Sequence, residues 1–452
     1  MNITHCPPFR NPIIGQLLKT EYRPDDWKSL LQLLHEKNVF HFPPLATGLF
    51  SAALVTKETE STGYKSAWVR DNVHVLNAHL ECGGRRTAVN GAIALCRFFY
   101  RHRQRMEAIL ENPHHAHDET KRPHIRFDGE TLREIDMPWP HAQNDALGYF
   151  LWLWGARCLN PNGFARLGEP PVETWEIETV SLLLQYLHVI EYWRDEDSGH
   201  WEEERKISAS SIGAVVAAMK RLRTLETVLP PNTLDLCETL HESGNRALAQ
   251  ILPFECVQQD ERKNRKYDSA LLFLIEPLQI VDEKTAETIV DHVCEHLLGE
   301  HGIKRYPGDS FYCTNYESNI PEESLTTDWS LSTEERDSHF QAGGEAQWAI
   351  FDPILSVHFG RKYLTTRDEQ HRQRQIWHLN RSLGQITGPE DRYGAFQCPE
   401  LYYIEQGKRQ TSRSTPLLWT QANLLLALKA FGKILEQMRN WSGVFPLPLV
   451  AP

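Results

Sequence analysis

The sequence lacks the features that mark membrane-spanning and secreted proteins. No apolar run approaches the roughly 18 residues that a membrane-spanning helix needs. The first ten residues, MNITHCPPFR, contain no basic region followed by an apolar run, which is the pattern of a signal peptide. The nine cysteines are odd in number and form no CxxC pair. We therefore expect reduced thiols in a cytoplasmic protein that does not bind a membrane, and no disulfide framework.

Positive charge is also scarce in this chain. Its 48 lysines and arginines are outnumbered by 60 aspartates and glutamates, which gives a net charge of −12. Binding to nucleic acid requires a concentrated basic face. The composition therefore predicts no nucleic-acid partner.

Aromatic residues, in contrast, are plentiful. The 13 Trp, 14 Tyr and 18 Phe suit either a large core or an aromatic-lined cleft. A length of 452 residues fits two or three average domains or one large barrel. Because no low-complexity linker or break in composition interrupts the chain, we predict a single domain over residues 1–452.

Apolar residues recur at helical spacing along most of the chain, whereas alternating strand patterns are few and short. We predict a mainly α-helical protein with about a dozen helices separated by loops. The helical pattern covers residues 26–37, 69–80, 85–111, 143–158, 172–193, 208–225, 233–252, 267–275, 284–299, 341–360, 367–384 and a C-terminal stretch that begins near Pro416.

One acidic segment, residues 309–338, has no helical period. A loop of this length in a compact domain is usually either a functional lid or a disordered insert. We predict an acidic loop insertion here and keep both interpretations.

The stretch SAWVRDNVHVL places Arg70 beside Asp71 at the start of a predicted helix. A guanidinium offers a planar fork of donors and a carboxylate offers two acceptors, which together suit a neutral polyol such as a sugar. The alternative is a salt bridge at a helix end. A second loop, MPWPHAQNDALGYFLWLW, brings Trp139 and residues 143–145 to the mouth of a very apolar helix. These polar residues suit either helix capping or ligand binding.

The stretch SGHWEEERKISASSIG sets three glutamates directly after Trp201. A carboxyl group beside an indole in a poorly hydrated cleft has its pKa raised by desolvation. Glu202 is therefore a candidate general acid, and we expect the charges of Glu203 and Glu204 to raise its pKa further. Glycoside hydrolysis needs a second carboxylate from elsewhere in the chain. Both Glu400 and Glu405 in CPELYYIEQGKRQ qualify.

Taken together and in this order, the loops resemble those of the glucoamylases, family 15 glycoside hydrolases, and of their relatives, the phosphorylase kinase regulatory subunits. WVRDN is similar to the W-x-R-D segment of the family, AQNDALG to its P-Q-x-D segment and KRYPGDSFY to its R-Y-P-x-D-x-Y segment. WEE matches the segment that carries the general acid, which maps to Glu202. PELYY…STPLLWTQAN is similar to the segment that carries the catalytic base, which maps to Glu400, and not Glu405.

The resemblance implies an all-α, single (α/α)6 barrel with long active-site loops. It also implies exo-acting hydrolysis of α-glucosides with inversion, without metal or cofactor. Arg70, Asp71 and Arg305 are expected to hold the terminal glucose, with Trp139 stacked near it. Three further residues complete the predicted substrate-binding set, namely Asp145, Trp201 and Glu203.

Two segments, ERKISASSIGAVVAAMKRL and CPELYY, look closer to the kinase-subunit branch than to secreted fungal glucoamylases. One alternative is therefore a non-catalytic relative that binds an oligosaccharide or regulates a partner enzyme. Another is a different inverting helical-barrel enzyme, such as a phosphorylase or a trehalase. The complete pair of Glu202 and Glu400 favours an active hydrolase. We predict short soluble α-glucosides or maltooligosaccharides as substrates.

Overall fold

The computed structural model describes residues 6–54, 63–159, 169–330 and 333–439. Its α-helices, numbered in chain order, are α1 (Pro12–Gly15), α2 (Pro24–Glu36), α3 (Val69–Glu81), α4 (Arg85–Arg101), α5 (Gln104–Glu111), α6 (Asn144–Cys158), α7 (Thr174–Val189), α8 (Ala209–Leu222), α9 (Pro231–Ile251), α10 (Leu272–Ile275), α11 (Glu283–His292), α12 (Tyr316–Asn319), α13 (Glu334–Ser338), α14 (Asp352–Thr366), α15 (Glu369–Gly384) and α16 (Leu418–Arg439). A π-helical turn, Val293–Leu297, continues α11.

Six of these helices form a closed inner ring. Each contacts the next in the order α3, α6, α8, α10, α14 and α16, and α16 returns to α3. Helices α4, α7, α9, α11 and α15 pack around this ring. The sixth outer helix, α2, inserts Trp27 against Phe431 of α16, with ring centroids 5.0 Å apart. The predicted (α/α)6 barrel is confirmed.

The sequence of α6 explains its place in the inner ring. Nearly every residue of NDALGYFLWLWGARC is buried, as expected for a helix surrounded by other helices. At Gly148, an added Cβ would lie 2.6 Å from the backbone of Ala214 and Val215 in α8. Glycine therefore permits the close approach of α6 and α8.

Two small antiparallel sheets lie among the loops. The first joins β1 (Ala67–Trp68), β2 (Arg126–Asp128) and β3 (Arg133–Glu134), and the second joins β4 (Gln347–Trp348), β5 (Leu401–Glu405) and β6 (Lys408–Thr411). The predicted helix over 341–360 is therefore wrong in its first half, because Gln347 and Trp348 pair with β5. The helix begins only at Asp352, next to Pro353. Proline at this position is typical of a helix start.

The acidic segment 309–338 is packed against the barrel over its described residues. It contains α12, α13 and a 3₁₀ turn, Glu322–Ser324. Tyr316, Leu325, Trp329 and Arg336 are all buried. These described residues therefore do not form a disordered insert.

All nine cysteines fall within the described residues, and all are free thiols. This matches the expectation that the chain has no disulfide framework. Among the described helices, none combines the length and the hydropathy that crossing a membrane requires.

Candidate active site

A cleft with a volume of about 100 Å³ opens at one end of the inner ring. It is lined by residues at, or just before, the N-terminal ends of inner helices. Arg70 and Asp71 begin α3, Pro140 precedes α6, Glu202 precedes α8 and Trp419 begins α16. The loops that resembled one family in the sequence therefore meet at one place in the fold.

Glu202 lies in this cleft at a sharp change of backbone direction. Its φ of 57° and ψ of 43° place it in the left-handed region, directly after the 3₁₀ turn Gly199–Trp201. One oxygen, Oε1, accepts hydrogen bonds from Trp68 Nε1 at 3.1 Å and from Arg70 Nη2 at 3.3 Å. Burial raises the pKa of Glu202, and the positive charge of Arg70 opposes this effect. A non-glycine residue in this conformation is strained, which is a frequent feature of functional sites.

Glu400 lies in the same cleft and is buried. Tyr64 donates a hydrogen bond to its Oε1 at 2.8 Å, and Ser412 donates one to its Oε2 at 3.1 Å. Burial raises the pKa of Glu400 to about 7, although both hydrogen bonds favour the ionised form. This carboxyl group can therefore exchange a proton near neutral pH.

One short segment holds both carboxyl groups. Tyr64 bonds to Glu400 and Trp68 bonds to Glu202, and the two aromatic rings lie 5.4 Å apart between centroids. Strand β1, which contains Trp68, is fixed by its pairing with β2. One segment is therefore in contact with both carboxyl groups. Sequence analysis missed Tyr64 and Ser412, because neither lies within the motifs that identified the glutamates.

Glu203 corrects a sequence-based expectation. It is absent from the lining of the cleft and its carboxylate is buried among cationic groups. Burial alone would raise the pKa of Glu203, but the guanidinium groups around it hold that pKa well below its usual range. Glu203 therefore does not act on Glu202 as an uncompensated negative charge. Its hydrogen-bond donors are Arg305, Arg336, Arg265 and Tyr306.

Arg305 lies in the cleft lining, as the sequence predicted. It also forms hydrogen bonds with Asp309 and Glu203, which are not part of that lining. Asp309 accepts two hydrogen bonds from it, at 2.7 and 2.6 Å, and Glu203 accepts one at 3.1 Å. Its guanidinium lies 5.1 Å from the ring centroids of both Trp201 and Trp348. Glu203 therefore contacts the cleft only through Arg305 and its neighbours.

Arg70 is positioned by Asp145, which lies at the start of α6. The two side chains form a buried salt bridge, and Arg70 Nη2 also reaches Glu202. Asp145 itself is fully buried and is not part of the cleft lining. Asp71, in contrast, lines the cleft, and burial raises its pKa to about 7. The predicted contact of Arg70 with a sugar therefore depends on Asp145, a carboxylate on the neighbouring inner helix α6.

The walls of the cleft are aromatic. Trp139 and Trp201, both predicted, line it, and Trp201 Nε1 donates to Asp268 at 2.9 Å. Four further tryptophans, which sequence analysis did not assign to the site, also line it, namely Trp68, Trp329, Trp348 and Trp419. The described lining therefore contains six tryptophans.

The acidic segment 309–338 supplies one side of the cleft. Phe311, residues 326–329 and Arg336 are all in the lining. Arg336 is anchored behind the cleft, where its Nη2 donates to Glu203 Oε1 at 2.8 Å and its Nε donates to Ser310 Oγ at 2.8 Å. The segment therefore narrows the opening of the cleft.

Glu405 lies outside the cleft lining, at the far end of β5 from Glu400. It accepts hydrogen bonds from Ser318 Oγ and from the backbone N–H of Glu317. The structure therefore brings Glu400, and not Glu405, together with Glu202. Within the described ranges, no group of three or more His, Cys, Asp or Glu side chains is arranged to hold a metal ion.

Comparison with known proteins finds a family model that covers most of the chain. The family model described as Glycosyl hydrolases family 15 matches residues 26–428. A curated protein, "Uncharacterized lipoprotein YgeQ" of Escherichia coli (strain K12), is 26% identical over 202 residues, which cover 40% of this chain and 74% of that protein.

Solved structures of the same architecture include a glycosidase variant in complex with glucose. It has a TM-score of 0.64 and 17% identity, and the match covers 91% of this chain and 99% of that one. A glucoamylase from Saccharomycopsis fibuligera has a TM-score of 0.58 and 10% identity, over 94% of this chain and 97% of that one. These likenesses support the barrel fold.

Proposed function

Because this chain belongs to the glycosyl hydrolases family 15, we propose that it releases glucose from short α-glucosides with inversion of configuration. The observation that carries the proposal is the meeting of Glu202 and Glu400 in one aromatic cleft at the loop-rich end of the barrel. Hydrolysis of a glycosidic bond by inversion needs two such carboxyl groups, one acid and one base.

Glu202 is the proposed general acid. The role rests on the match of WEE to the segment that carries the acid in the family, because burial raises the pKa of both Glu202 and Glu400 and so does not separate their roles. The bonds of Glu202 to Trp68 and Arg70 fix the carboxyl group, so the proton is delivered from one position. As Glu202 loses the proton, the nearby positive charge of Arg70 stabilises the resulting carboxylate.

Glu400 is the proposed general base. The hydrogen bonds from Tyr64 and Ser412 favour its ionised form and leave the carboxylate oriented within the cleft. In its ionised form it removes a proton from a water molecule that attacks the anomeric carbon. The sugar is proposed to contact Asp71, Arg305, Trp139 and Trp201, whereas Asp145 and Glu203 act by positioning arginines.

The substrates are proposed to be short. The cleft is small, with a volume of about 100 Å³, and residues 326–329 of the acidic segment line it. We propose that these residues move outward when a sugar binds. We propose that this segment is a lid that admits one or two sugar units and excludes water during the reaction.

A cytoplasmic location also remains a proposal, supported by the nine free thiols. A non-catalytic regulatory role similar to that of the phosphorylase kinase subunits is less well supported. Such a protein has no need for two carboxyl groups with raised pKa values in one cleft.

The direct test is release of free glucose from a ladder of maltose to maltoheptaose and from a glucosyl polyol. We expect catalytic efficiency to be highest on the disaccharide or the glucosyl polyol. Both Glu202→Gln and Glu400→Gln should remove activity, whereas Glu405→Gln is the matched control because Glu405 is buried outside the cleft. No glucose release from any substrate would reject the hydrolase proposal. Efficiency that climbs with chain length would reject the lid and leave hydrolysis intact.

A further inference from the structure

A second cavity, with a volume of about 650 Å³, opens at the end of the barrel opposite the cleft. We call it the far-end cavity. It is lined by the later parts of α3, α6 and α8, by most of the length of α14, by the middle of α16 and by the turn after α10. Small-molecule sites typically have volumes of about 300–1,000 Å³. The far-end cavity is therefore large enough for a ligand and is separate from the proposed catalytic residues.

The far-end cavity is positively charged although the chain as a whole is acidic. Five basic and two acidic side chains line it, which gives an excess of three positive charges in a chain of net charge −12. Lys220, Arg221 and Lys433 form no salt bridge with any described carboxylate. Each of the two acidic residues forms a salt bridge with a basic residue of the same lining, Glu81 with Lys429 and Glu276 with Arg361. The uncompensated charge favours an anion.

Arg221 is fixed in place before any ligand arrives. Its Nη1 donates to the backbone oxygen of Trp152 at 2.5 Å, and its guanidinium lies 4.1 Å from the Trp152 ring centroid. Burial lowers the pKa of Arg221 to about 10, so the group is still charged at neutral pH. A cation that is already ordered loses little conformational freedom on binding.

Buried polar side chains also line the far-end cavity. His74 and, one helical turn further along α3, Asn77 are both buried and are among its lining residues. They add polar groups to the cavity wall.

The remaining walls are largely apolar. The apolar lining includes Leu80, Trp152, Ile354, Val357 and Leu426. We propose that the far-end cavity binds a small organic anion with an apolar body, such as an aryl or acyl carboxylate, phosphate or sulfonate. Its negative charge is attracted by the positive potential of Lys220, Arg221 and Lys433, and its body packs on the apolar wall. This site does not depend on the hydrolase proposal.

The test uses the full-length protein and the fluorescent aryl sulfonate 8-anilinonaphthalene-1-sulfonate as the probe. We expect saturable binding that weakens with added salt. The triple variant Lys220→Gln/Arg221→Gln/Lys433→Gln should bind the probe about tenfold more weakly. The matched control removes three exposed lysines outside the cavity, Lys28→Gln/Lys284→Gln/Lys408→Gln, and should bind within about twofold of the unmodified protein.

Competition identifies the chemistry of the ligand. Octanoate, which is anionic and apolar, should displace the probe at lower concentration than octanol or inorganic phosphate. Maltose, a ligand of the proposed cleft, should not displace it. Filling the cavity by Ala430→Trp should also weaken binding while leaving its charges in place, and circular dichroism checks that each variant is folded.

Four results would overturn the proposal. One is no saturable binding to the unmodified protein, and another is equal binding by the triple variant and its control. The third is displacement of the probe by maltose, which would place it in the cleft. Phosphate that competes as well as octanoate would remove the apolar body from the proposal and so contradict it.

Discussion

Two distant segments of this chain each carry glutamates, and each directs only one of its carboxyl groups into the cleft. In residues 198–206, Glu202 faces the cleft and Glu203 is buried behind it. In residues 398–411, Glu400 faces the cleft and Glu405 does not. A glutamate one position after Glu202, or five positions after Glu400, therefore lies in a different environment.

The two segments separate their glutamates by different means. Glu400 and Glu405 are an odd number of residues apart along an extended chain, so their side chains point to opposite faces. In the other segment, Glu202 itself is in the left-handed region, and the backbone changes direction there before Glu203. The alternation of side chains along a strand can be predicted from the sequence once the strand is assigned. The change of direction at Glu202, in contrast, depends on the 3₁₀ turn Gly199–Trp201 that precedes it.

The largest expected effect is on the acid. Glu202→Gln cannot donate a proton, and general acid catalysis contributes roughly 10²–10⁴-fold to the rate. We expect a loss of that size in kcat/KM on maltose and a much smaller loss on α-glucosyl fluoride, whose leaving group needs little protonation. Glu204→Gln, an exposed neighbour, is the control. Equal losses on both substrates would remove Glu202 from the role of acid.

The next effect concerns stability. Glu203 neutralises buried guanidinium groups, and removing one partner of a buried ion pair costs about 3–5 kcal/mol. We expect Glu203→Gln to lower the free energy of unfolding by this amount in urea denaturation. Glu204→Gln should change it by less than about 0.5 kcal/mol. If the two variants are equally stable, Glu203 does not hold the arginines as described.

A smaller effect sharpens the assignment of the base. The hydrogen bond from Tyr64 favours the ionised form of Glu400, whose pKa burial raises to about 7. Removing that donor by Tyr64→Phe raises the pKa further, so ionisation of the base requires a higher pH. The acidic limb of the kcat/KM profile should therefore move upward by about one pH unit. If the acidic limb stays in place or moves to lower pH, that limb does not reflect the ionisation of Glu400.

The smallest expected effect is at Glu405. Because its carboxylate bonds to Ser318 and to the backbone of Glu317, Glu405→Gln should leave kcat/KM within about threefold of the unmodified enzyme. A loss as large as that of Glu400→Gln would contradict the assignment of Glu400, and not Glu405, as the base.

The sequence predicted the barrel helices well because most carry a buried apolar stripe of helical period. It also located Glu202, Glu400, Arg70, Asp71 and Arg305 in what proved to be one cleft, through the family resemblance of their loops. The error over residues 341–360 arose because a strand of two residues has no period to detect.

Other features depend on contacts between distant residues. Nothing local in WEEE shows that Glu203 is neutralised, since its partners include Arg305 and Arg336, more than a hundred residues away. Tyr64 has the same property, because its partner Glu400 lies 336 positions along the chain. The one indication in the sequence was that Tyr64 lies four residues before Trp68.

The central claim is that Glu202 and Glu400 act as acid and base from the two sides of the glycosidic bond. Proton NMR of the first glucose released from maltose tests it most directly. The account predicts that the β-anomer appears first and then mutarotates to the equilibrium mixture, because a water activated by Glu400 attacks from the face opposite the leaving group. Initial release of the α-anomer would show retention and would contradict the proposed mechanism.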